Sequence, residues 1–413
     1  MRPRMRHVKA AALGLVACKM FSLQAIGQQP DLGAVFSAPI DVERETRLTT
    51  VPIDVKAGKL LLNASVNDKD ARMVFDTGSP TILSRQLANS LELEIVGQNT
   101  GVDANGTQVR MDVAVVESLV LGDVEFQHVP VLIFDFSRLS LGSCFIKDGI
   151  LGSEIFPGSV WQVDLEAQEI RIAESAHDLG IADTASSTAL HDFGYPHAPI
   201  VDYAIGRLED KALFDTGSSE AVSLFEKAMN APAMKKATVS RSRRTGRGIE
   251  GVSAGGKGEA MALNSIELKG LTLGSHKTGP LRAVSRSVPP SLIGAGLLSS
   301  YTVTLDYPGK RFILEPRAAP IPKKAASGYS VMFVEDEATV AQVFEKSEAA
   351  KAGLEFGDVV KSANGMSLVP DDEASRCEKA LWLADEFDSS KSADLVVVRN
   401  GKDVAINVPA TSD

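Results

Sequence analysis

The feature that most constrains the fold of this chain is a repeated string of five residues. Phe75-Asp76-Thr77-Gly78-Ser79 recurs as Phe214-Asp215-Thr216-Gly217-Ser218. Each copy follows a short apolar stretch, which in turn follows turn-prone residues. By average composition a given tetrapeptide arises about once in 10⁵ positions. Two copies at matched positions therefore indicate an internal duplication.

The duplication continues downstream of the two strings. Ile150-Leu151-Gly152 answers Leu292-Ile293-Gly294, at 76 and 79 positions from the respective aspartates. Another 12 positions lead from each of these glycines to Asp164 and to Asp306. Alternating apolar residues and turn signals between these landmarks predict short strands. The sequence thus predicts two homologous β units, with residues 181–187 as their boundary.

The repeated aspartate predicts acid–base chemistry. An Asp at the end of a buried strand, followed by Gly, fits a tight loop, and the absence of a Cβ lets a second loop approach closely. Two carboxylates held side by side cannot both ionise, so they share a proton. One then serves as a base toward water and the other as an acid toward a carbonyl oxygen.

Residues 45–316 resemble the aspartic proteases, because each half carries Phe-Asp-Thr-Gly-Ser followed by an apolar-apolar-Gly motif. Each half resembles a retropepsin-type subunit, fused in tandem as in pepsin-like enzymes. The resemblance implies a mainly β, two-lobed acid-protease β-barrel fold. Lobe 1 is expected at 45–180 and lobe 2 at 188–316, with Asp76 and Asp215 as the catalytic pair.

The same resemblance assigns supporting roles around the pair. It implies that Thr77 and Thr216 tie the two catalytic loops together and that Ser79 and Ser218 hydrogen-bond the outer carboxylate oxygens. Gly78 and Gly217 complete the two loops. Flaps are expected at 97–109 and 245–258. The halves are not identical, since Pro80 stands where the second half has Ser219, and no flap tyrosine is identifiable.

A proline- and lysine-containing linker is expected at 317–327, followed by a further domain at 328–408. That domain resembles a bacterial periplasmic PDZ domain, a β-sandwich with short helices, through residues 347–354, Gly357-Asp358-Val359-Val360 and Asn364-Gly365. A PDZ domain binds a peptide C-terminus or an extended strand at a sheet edge. The resemblance makes Gly328, Tyr329, Ser330 and Val331 the carboxylate-binding loop.

Residues 1–27 predict an export signal, with a basic start and a short apolar run at 10–17. Two cleavage interpretations compete. Residues 15–18 resemble a lipobox, which would make Cys18 a lipidated first residue, whereas Ala25-Ile26-Gly27 suits ordinary cleavage before Gln28. The sequence predicts a periplasmic or envelope location, and membrane attachment only through a lipid on Cys18.

Charge argues against one class of partner, and cysteine content argues against a disulfide framework and a zinc site. The chain has 53 acidic and 43 basic residues, a net charge of −10, which argues against nucleic acid as a partner. Cys144 and Cys377 lie far apart in separate predicted domains, so no disulfide framework is expected, and two cysteines cannot build a structural zinc site. No cofactor and no metal is expected.

The sequence therefore predicts an exported aspartic endopeptidase that hydrolyses polypeptides, with the PDZ domain recruiting or positioning substrate. The alternative is a catalytically inert peptide-binding adaptor of the cell envelope. A third hypothesis keeps the protease but gives it a single processing substrate.

Overall fold

Residues 31–139, 142–322 and 324–411 are described in the computed structural model of the chain. The predicted export signal, with Cys18 and both cleavage positions, lies outside these residues. Strands make up 47% and helices 14%, which confirms the prediction of a mainly β protein. Among the described residues, no helix has the length and apolar character needed to cross a bilayer.

The first repeat begins with a short helix and continues as strands. In chain order its elements are α1 (Leu32–Ser37), β1 (Asp41–Arg44), β2 (Leu48–Lys56), β3 (Lys59–Val66), β4 (Lys69–Phe75), β5 (Ile82–Ser84), α2 (Arg85–Ser90), β6 (Gly97–Val102), β7 (Gln108–Leu121), β8 (Val124–Phe134), a 3₁₀ turn (Phe136–Arg138), α3 (Gly142–Phe145), β9 (Gly149–Leu151), β10 (Val160–Asp164), β11 (Glu169–Ala173) and a 3₁₀ turn (Ala176–Leu179).

The second repeat follows a similar order. Its elements are β12 (Ser187–His191), β13 (Ile200–Ile205), β14 (Leu208–Asp215), β15 (Val222–Phe225), α4 (Glu226–Met229), α5 (Met234–Ala237), β16 (Arg244–Gly248), β17 (Val252–Ser253), β18 (Gly256–Lys257), β19 (Met261–Leu268), β20 (Thr272–Leu273), β21 (His276–Lys277), β22 (Leu281–Arg286), β23 (Ser291–Gly294), a 3₁₀ turn (Ala295–Ser299), β24 (Tyr301–Asp306) and β25 (Arg311–Pro316).

A C-terminal unit with its own apolar core completes the chain. It consists of β26 (Tyr329–Val334), β27 (Glu337–Phe344), α6 (Glu348–Lys351), β28 (Val359–Ala363), β29 (Met366–Ser367), α7 (Glu373–Asp385), β30 (Ala393–Arg399) and β31 (Lys402–Val408). Asn400 and Gly401 both have positive φ at the turn between β30 and β31, where Asn-Gly predicted a hairpin.

One antiparallel sheet joins the two repeats. Its strand order is β2, β11, β10, β24, β25, β12, and the repeats meet where β10 pairs with β24. Phe75, Phe156 and Trp161 pack together above this sheet, with 4.7 Å between the ring centroids of Phe156 and Trp161. All three are fully buried, so the end of the strand that carries Phe75 is packed against aromatic side chains.

The C-terminal unit contacts both repeats. Strand β27 pairs antiparallel with β16 of the second repeat, with Gly246 opposite Phe344. The side chain of Asp385, at the end of α7, accepts a hydrogen bond of 2.8 Å from the backbone N–H of Ala57 in the first repeat. The unit thereby bridges the two repeats on one side of the molecule.

The expectation that Cys144 and Cys377 stay unpaired is wrong. They form a disulfide, with a Cα–Cα distance of 5.1 Å, between α3 of the first repeat and α7 of the C-terminal unit. Phe145 packs on the core of the C-terminal unit beside this bridge. Separation in sequence and in domain assignment carries no information about this docking, which brings α3 and α7 together.

Candidate active site

Each repeated aspartate lies at the end of a strand that pairs with a parallel neighbouring strand. Strand β4 runs parallel to β9, and β14 runs parallel to β23. The backbone N–H of Asp76 donates to the carbonyl oxygen of Leu151 over 3.0 Å. A Cβ on Gly152 would lie 2.2 Å from the carbonyl carbon of Pro80, so only glycine fits beneath the first loop.

Thr77 and Thr216 connect the two aspartate loops through four hydrogen bonds. The Thr77 backbone N–H donates to the Thr216 hydroxyl oxygen (3.0 Å), and the Thr216 N–H donates to the Thr77 hydroxyl oxygen (3.0 Å). The two hydroxyls donate to the carbonyl oxygens of Phe214 and Phe75, over 2.6 and 2.9 Å. Both threonines are fully buried, so the geometry of each loop depends on the other repeat.

The two carboxyl groups lie against each other across these loops. A Cβ on Gly217 would come within 2.3 Å of Asp76 Oδ2, and one on Gly78 within 2.7 Å of Asp215 Cγ. Burial, together with the charge and hydrogen bond of Asp76, raises the pKa of Asp215 to about 7. The pair can therefore hold one shared proton over a wide acidic to neutral range.

The loop glycines and serines contribute mainly through the backbone. The N–H of Gly78 donates to Asp76 Oδ1 (2.9 Å), and the N–H of Ser218 donates to Asp215 Oδ1 (3.2 Å). The Ser79 hydroxyl donates to the carbonyl oxygen of Pro80 (2.8 Å), not to a carboxylate as the resemblance implied. The acceptor is a backbone carbonyl oxygen next to the serine.

Lys59 is a site residue that the sequence did not reveal. It lies at the start of β3, and its ammonium group donates to the carbonyl oxygen of Gly217 in the opposite repeat. Its charge opposes the effect of burial by lowering the pKa of Asp215. The connection from β12 to β13 in the second repeat (192–199) contains no lysine, so comparison of the repeats gave no signal.

The tips of the two predicted flaps contact each other. The Asp103 carboxylate accepts hydrogen bonds from the Gly255 N–H (2.8 Å) and from the Ser253 hydroxyl. The Asn105 amide donates to the Gly256 carbonyl oxygen over 3.2 Å. The segments 97–109 and 245–258 thus approach each other, as expected of paired flaps.

A buried apolar cluster lies on the face of the first repeat that β5, β7 and β8 share. Its buried members are Ile82, Val113, Leu132, Phe134 and Phe136. Helix α1 packs on it through Leu32, Val35 and Phe36, and the Phe36 ring stacks on Tyr195 of the second repeat at 4.3 Å. The N-terminal segment therefore covers this cluster, a contact that no sequence pattern indicated.

Glu154 is a buried carboxyl directly after the Ile-Leu-Gly motif. It is 2% exposed, and its Oε2 accepts a hydrogen bond from the Thr81 backbone N–H over 2.8 Å. Burial raises its pKa to about 7. Its Oε1 and the Tyr195 hydroxyl are buried without partners among the described residues.

The proposed carboxylate-binding loop of the C-terminal unit is partly committed to internal bonds. Tyr329, Ser330 and Val331 belong to β26 and pair with β27. The Tyr329 N–H donates to the Ser327 hydroxyl oxygen over 3.0 Å. The carbonyl oxygen of Gly328 accepts from the Phe344 N–H, so neither group faces an open groove.

Comparison with known proteins gives one finding that bears on this site. Residues 62–155 match the family model described as aspartyl protease. The matched segment contains Asp76, the first flap and the Ile-Leu-Gly motif, and it ends before the second repeat. A search of curated proteins finds no match to the chain. The matched segment supports an aspartic protease family and a proteolytic function in general terms.

Proposed function

We propose that this protein is an aspartic endopeptidase with two tandem acid-protease lobes (45–180 and 188–316), a linker (317–327) and a PDZ domain (328–408). The observation that carries the proposal is the contact between Asp76 and Asp215, held by the Thr77 and Thr216 hydrogen bonds. Each lobe supplies one carboxyl, so a single chain completes the site.

The pair would act on a water molecule and a peptide carbonyl. The ionised carboxyl removes a proton from water as the water oxygen bonds to the carbonyl carbon, and the protonated carboxyl donates to the carbonyl oxygen. The resulting diol collapses when its nitrogen receives a proton and the C–N bond breaks. Every proton is exchanged within the pair, and no covalent intermediate with the enzyme forms.

The test is cleavage of a peptide library from pH 3 to 7 by the purified protein and by Asp76→Asn and Asp215→Asn. We expect loss of cleavage in both variants, because each removes one half of the shared-proton pair. Asp68→Asn is the matched control, since Asp68 is an exposed turn residue with φ 62°, a conformation that Asn tolerates. Full activity in either dyad variant would contradict the mechanism.

The inert-adaptor hypothesis has a different outcome in the same experiment. A folded wild-type protein that binds library peptides without cutting any of them would favour it. A narrow set of cleaved sites would instead favour the hypothesis of a single processing substrate.

We further propose that the PDZ domain positions substrate at the flap of lobe 2. Support comes from the pairing of β27 with β16, because a strand held by this domain would lie next to the flap. The bonded state of Gly328 and Tyr329 favours an extended internal strand over a terminal carboxylate as ligand. Substrates with free and with amidated C-termini should then show equal KM values, and a KM much lower for the free acid would contradict this.

The protein is proposed to work in the periplasm or cell envelope. The Cys144–Cys377 disulfide supports this, since such bonds persist in oxidising compartments. Intact mass of the exported protein would distinguish a lipidated Cys18 from a start at Gln28.

A further inference from the structure

The strand registers match each position of the apolar cluster in the first repeat with a position in the second repeat. In the first repeat, Ile82 lies opposite Ile150 and Leu132, and in the second Ser223 lies opposite Leu292 and Val284. Ile150 and Leu292 open the matched apolar-apolar-Gly motifs. Ser223 therefore takes the place of Ile82, and Val284 takes the place of Leu132.

The same registers match two further positions of the cluster. Ser84 pairs with Phe134 and Phe225 with Arg286, so Arg286 takes the place of Phe134. Val113 pairs with Leu132 and Ser265 with Val284, so Ser265 takes the place of Val113.

The two matched sets of positions consequently differ in chemistry. The first repeat presents Ile82, Val113, Leu132 and Phe134, whereas the second presents Ser223, Ser265, Val284 and Arg286. Three apolar side chains are replaced by two hydroxyls and a guanidinium. An asymmetric site of this kind favours a substrate with different side chains on the two sides of the cleaved bond.

Arg286 is buried, and one of its guanidinium nitrogens has no hydrogen-bond partner. It is only 8% exposed, its Nε is buried and unbonded, and no described residue forms an ion pair with it within 4.0 Å. Glu250, whose charge acts on Arg286, uses its two oxygens to accept from the Ser287 N–H (2.6 Å) and hydroxyl (3.1 Å). A buried guanidinium is ordinarily matched by a carboxylate that accepts a pair of its N–H bonds.

Two observations relate Arg286 to the catalytic pair and to the flap of the first repeat. Burial lowers the pKa of Arg286, and the negative charges of Glu250 and of Asp215 oppose this effect. Two residues further on, Val288 lies 3.2 Å from where a Cβ on Gly106 at the tip of that flap would be. Arg286 therefore lies on a segment that reaches the flap of the first repeat, within range of the charge of Asp215.

We propose that Arg286 forms a subsite in the second repeat for a carboxylate side chain of the substrate, Glu or Asp, close to the scissile bond. This inference rests on the proposed endopeptidase function. A C-terminal carboxylate has the same chemistry, and the test below separates the two sources.

The experiment measures kcat/KM for peptide pairs that differ only by Glu or Gln, with the exchanged residue moved through four positions on each side of the cleaved bond. Every pair is made with an amidated and with a free C-terminus. At one position we expect wild type to prefer Glu by about tenfold or more, as for a hydrogen-bonded charge pair, whichever C-terminus is present. A preference for the free acid at the chain end, with none for internal Glu, would overturn the side-chain assignment.

Arg286→Leu should remove the Glu preference, and Arg286→Lys should retain part of it, because lysine keeps the charge and loses the two-pronged geometry. Arg243→Leu is the matched control, since Arg243 is exposed and its loss changes the net charge equally. The readout is the Glu/Gln ratio within each variant, so a general loss of activity does not mimic the effect. An unchanged ratio in Arg286→Leu would overturn the proposal.

The pH dependence of the ratio supplies a readout that a purely structural role of Arg286 would not move. A substrate Glu protonates near its ordinary pKa of about 4.3, so the wild-type preference should disappear as the pH falls through 4. Persistence of the preference at pH 3 would contradict a charge-based subsite.

Failure of the endopeptidase function can be distinguished from failure of the subsite. If no peptide is cut, binding of the same peptide pairs to Asp215→Asn is measured by fluorescence anisotropy, with and without Arg286→Leu. A Glu preference that Arg286→Leu abolishes supports the subsite even without cleavage, whereas equal binding of Glu and Gln peptides overturns it.

Discussion

Replacing Glu154 by Gln should make the stability of the first repeat less sensitive to pH. The folded protein holds the Glu154 carboxyl at a pKa of about 7, against an ordinary value of 4.5, because burial disfavours the charged form. Below pH 4.5 the group is protonated in both states and contributes nothing. As the pH rises, the unfolded chain ionises first, so stability is lost between pH 4.5 and 7.

The size of the loss follows from the two pKa values. A difference of about 2.5 units corresponds to about 3 kcal/mol at 1.36 kcal/mol per unit. The amide introduced by Glu154→Gln would carry no titrating proton and would keep an acceptor for the Thr81 N–H. The raised pKa of Asp215 also lowers the free energy of unfolding as the pH rises. This contribution is the same in both proteins, so it cancels in the difference between them.

Urea unfolding from pH 4 to 8 measures this difference. Trp161 packs on Phe156 below the site, and changing Trp382, the other of the 2 tryptophans, to Phe makes it the only reporter. Glu117→Gln, at a side chain 77% exposed, controls for the chemistry of the exchange. Parallel pH curves for wild type and Glu154→Gln would refute the reasoning and would mean that water reaches the carboxyl.

Three further changes test other contacts. Gly217→Ala should lower kcat for peptide cleavage at least tenfold with the protein still folded, because the new Cβ would lie 2.3 Å from Asp76 Oδ2. Gly279→Ala is the control and should leave kcat unchanged, because a Cβ there would have no atom within 4 Å. Cys377→Ser should destabilise the C-terminal unit by about 2–4 kcal/mol, the usual range for a structural bridge, and unchanged calorimetric unfolding of that unit would contradict this. Deleting residues 31–38 should expose the apolar cluster that α1 covers in the first repeat, so that substrate can bind there and KM for peptides falls. An unchanged KM would show that α1 does not compete with substrate.

The sequence predicted those parts of the site that depend on short, repeated strings. The aspartates, threonines and glycines of both loops were identifiable because a close approach of two loops restricts the residue types. The turn at Asn105-Gly106 was also predictable, since this pair is a turn signal with a physical cause, the positive φ of Gly106.

What the sequence did not predict depends on contacts between distant segments. Lys59 reaches across to the opposite repeat, and its position at a strand start carries no local signal. Phe36 meets Tyr195, and Cys144 meets Cys377, only after separate units have docked. The Ser79 hydroxyl donates to a backbone carbonyl oxygen, that of Pro80, and the choice between this acceptor and a carboxylate is not visible in a motif.

The Cys144–Cys377 bridge makes a covalent ring of the intervening chain, since its ends lie 233 positions apart. The whole second repeat, with Asp215, lies inside that ring, while Asp76 lies outside it, on the N-terminal side of Cys144. A single cut anywhere in the ring, by the protein itself or by another protease, would release no fragment and would leave both aspartates on one covalent body. A nicked molecule could thus keep its site assembled, and it would migrate as two pieces on a gel only after reduction.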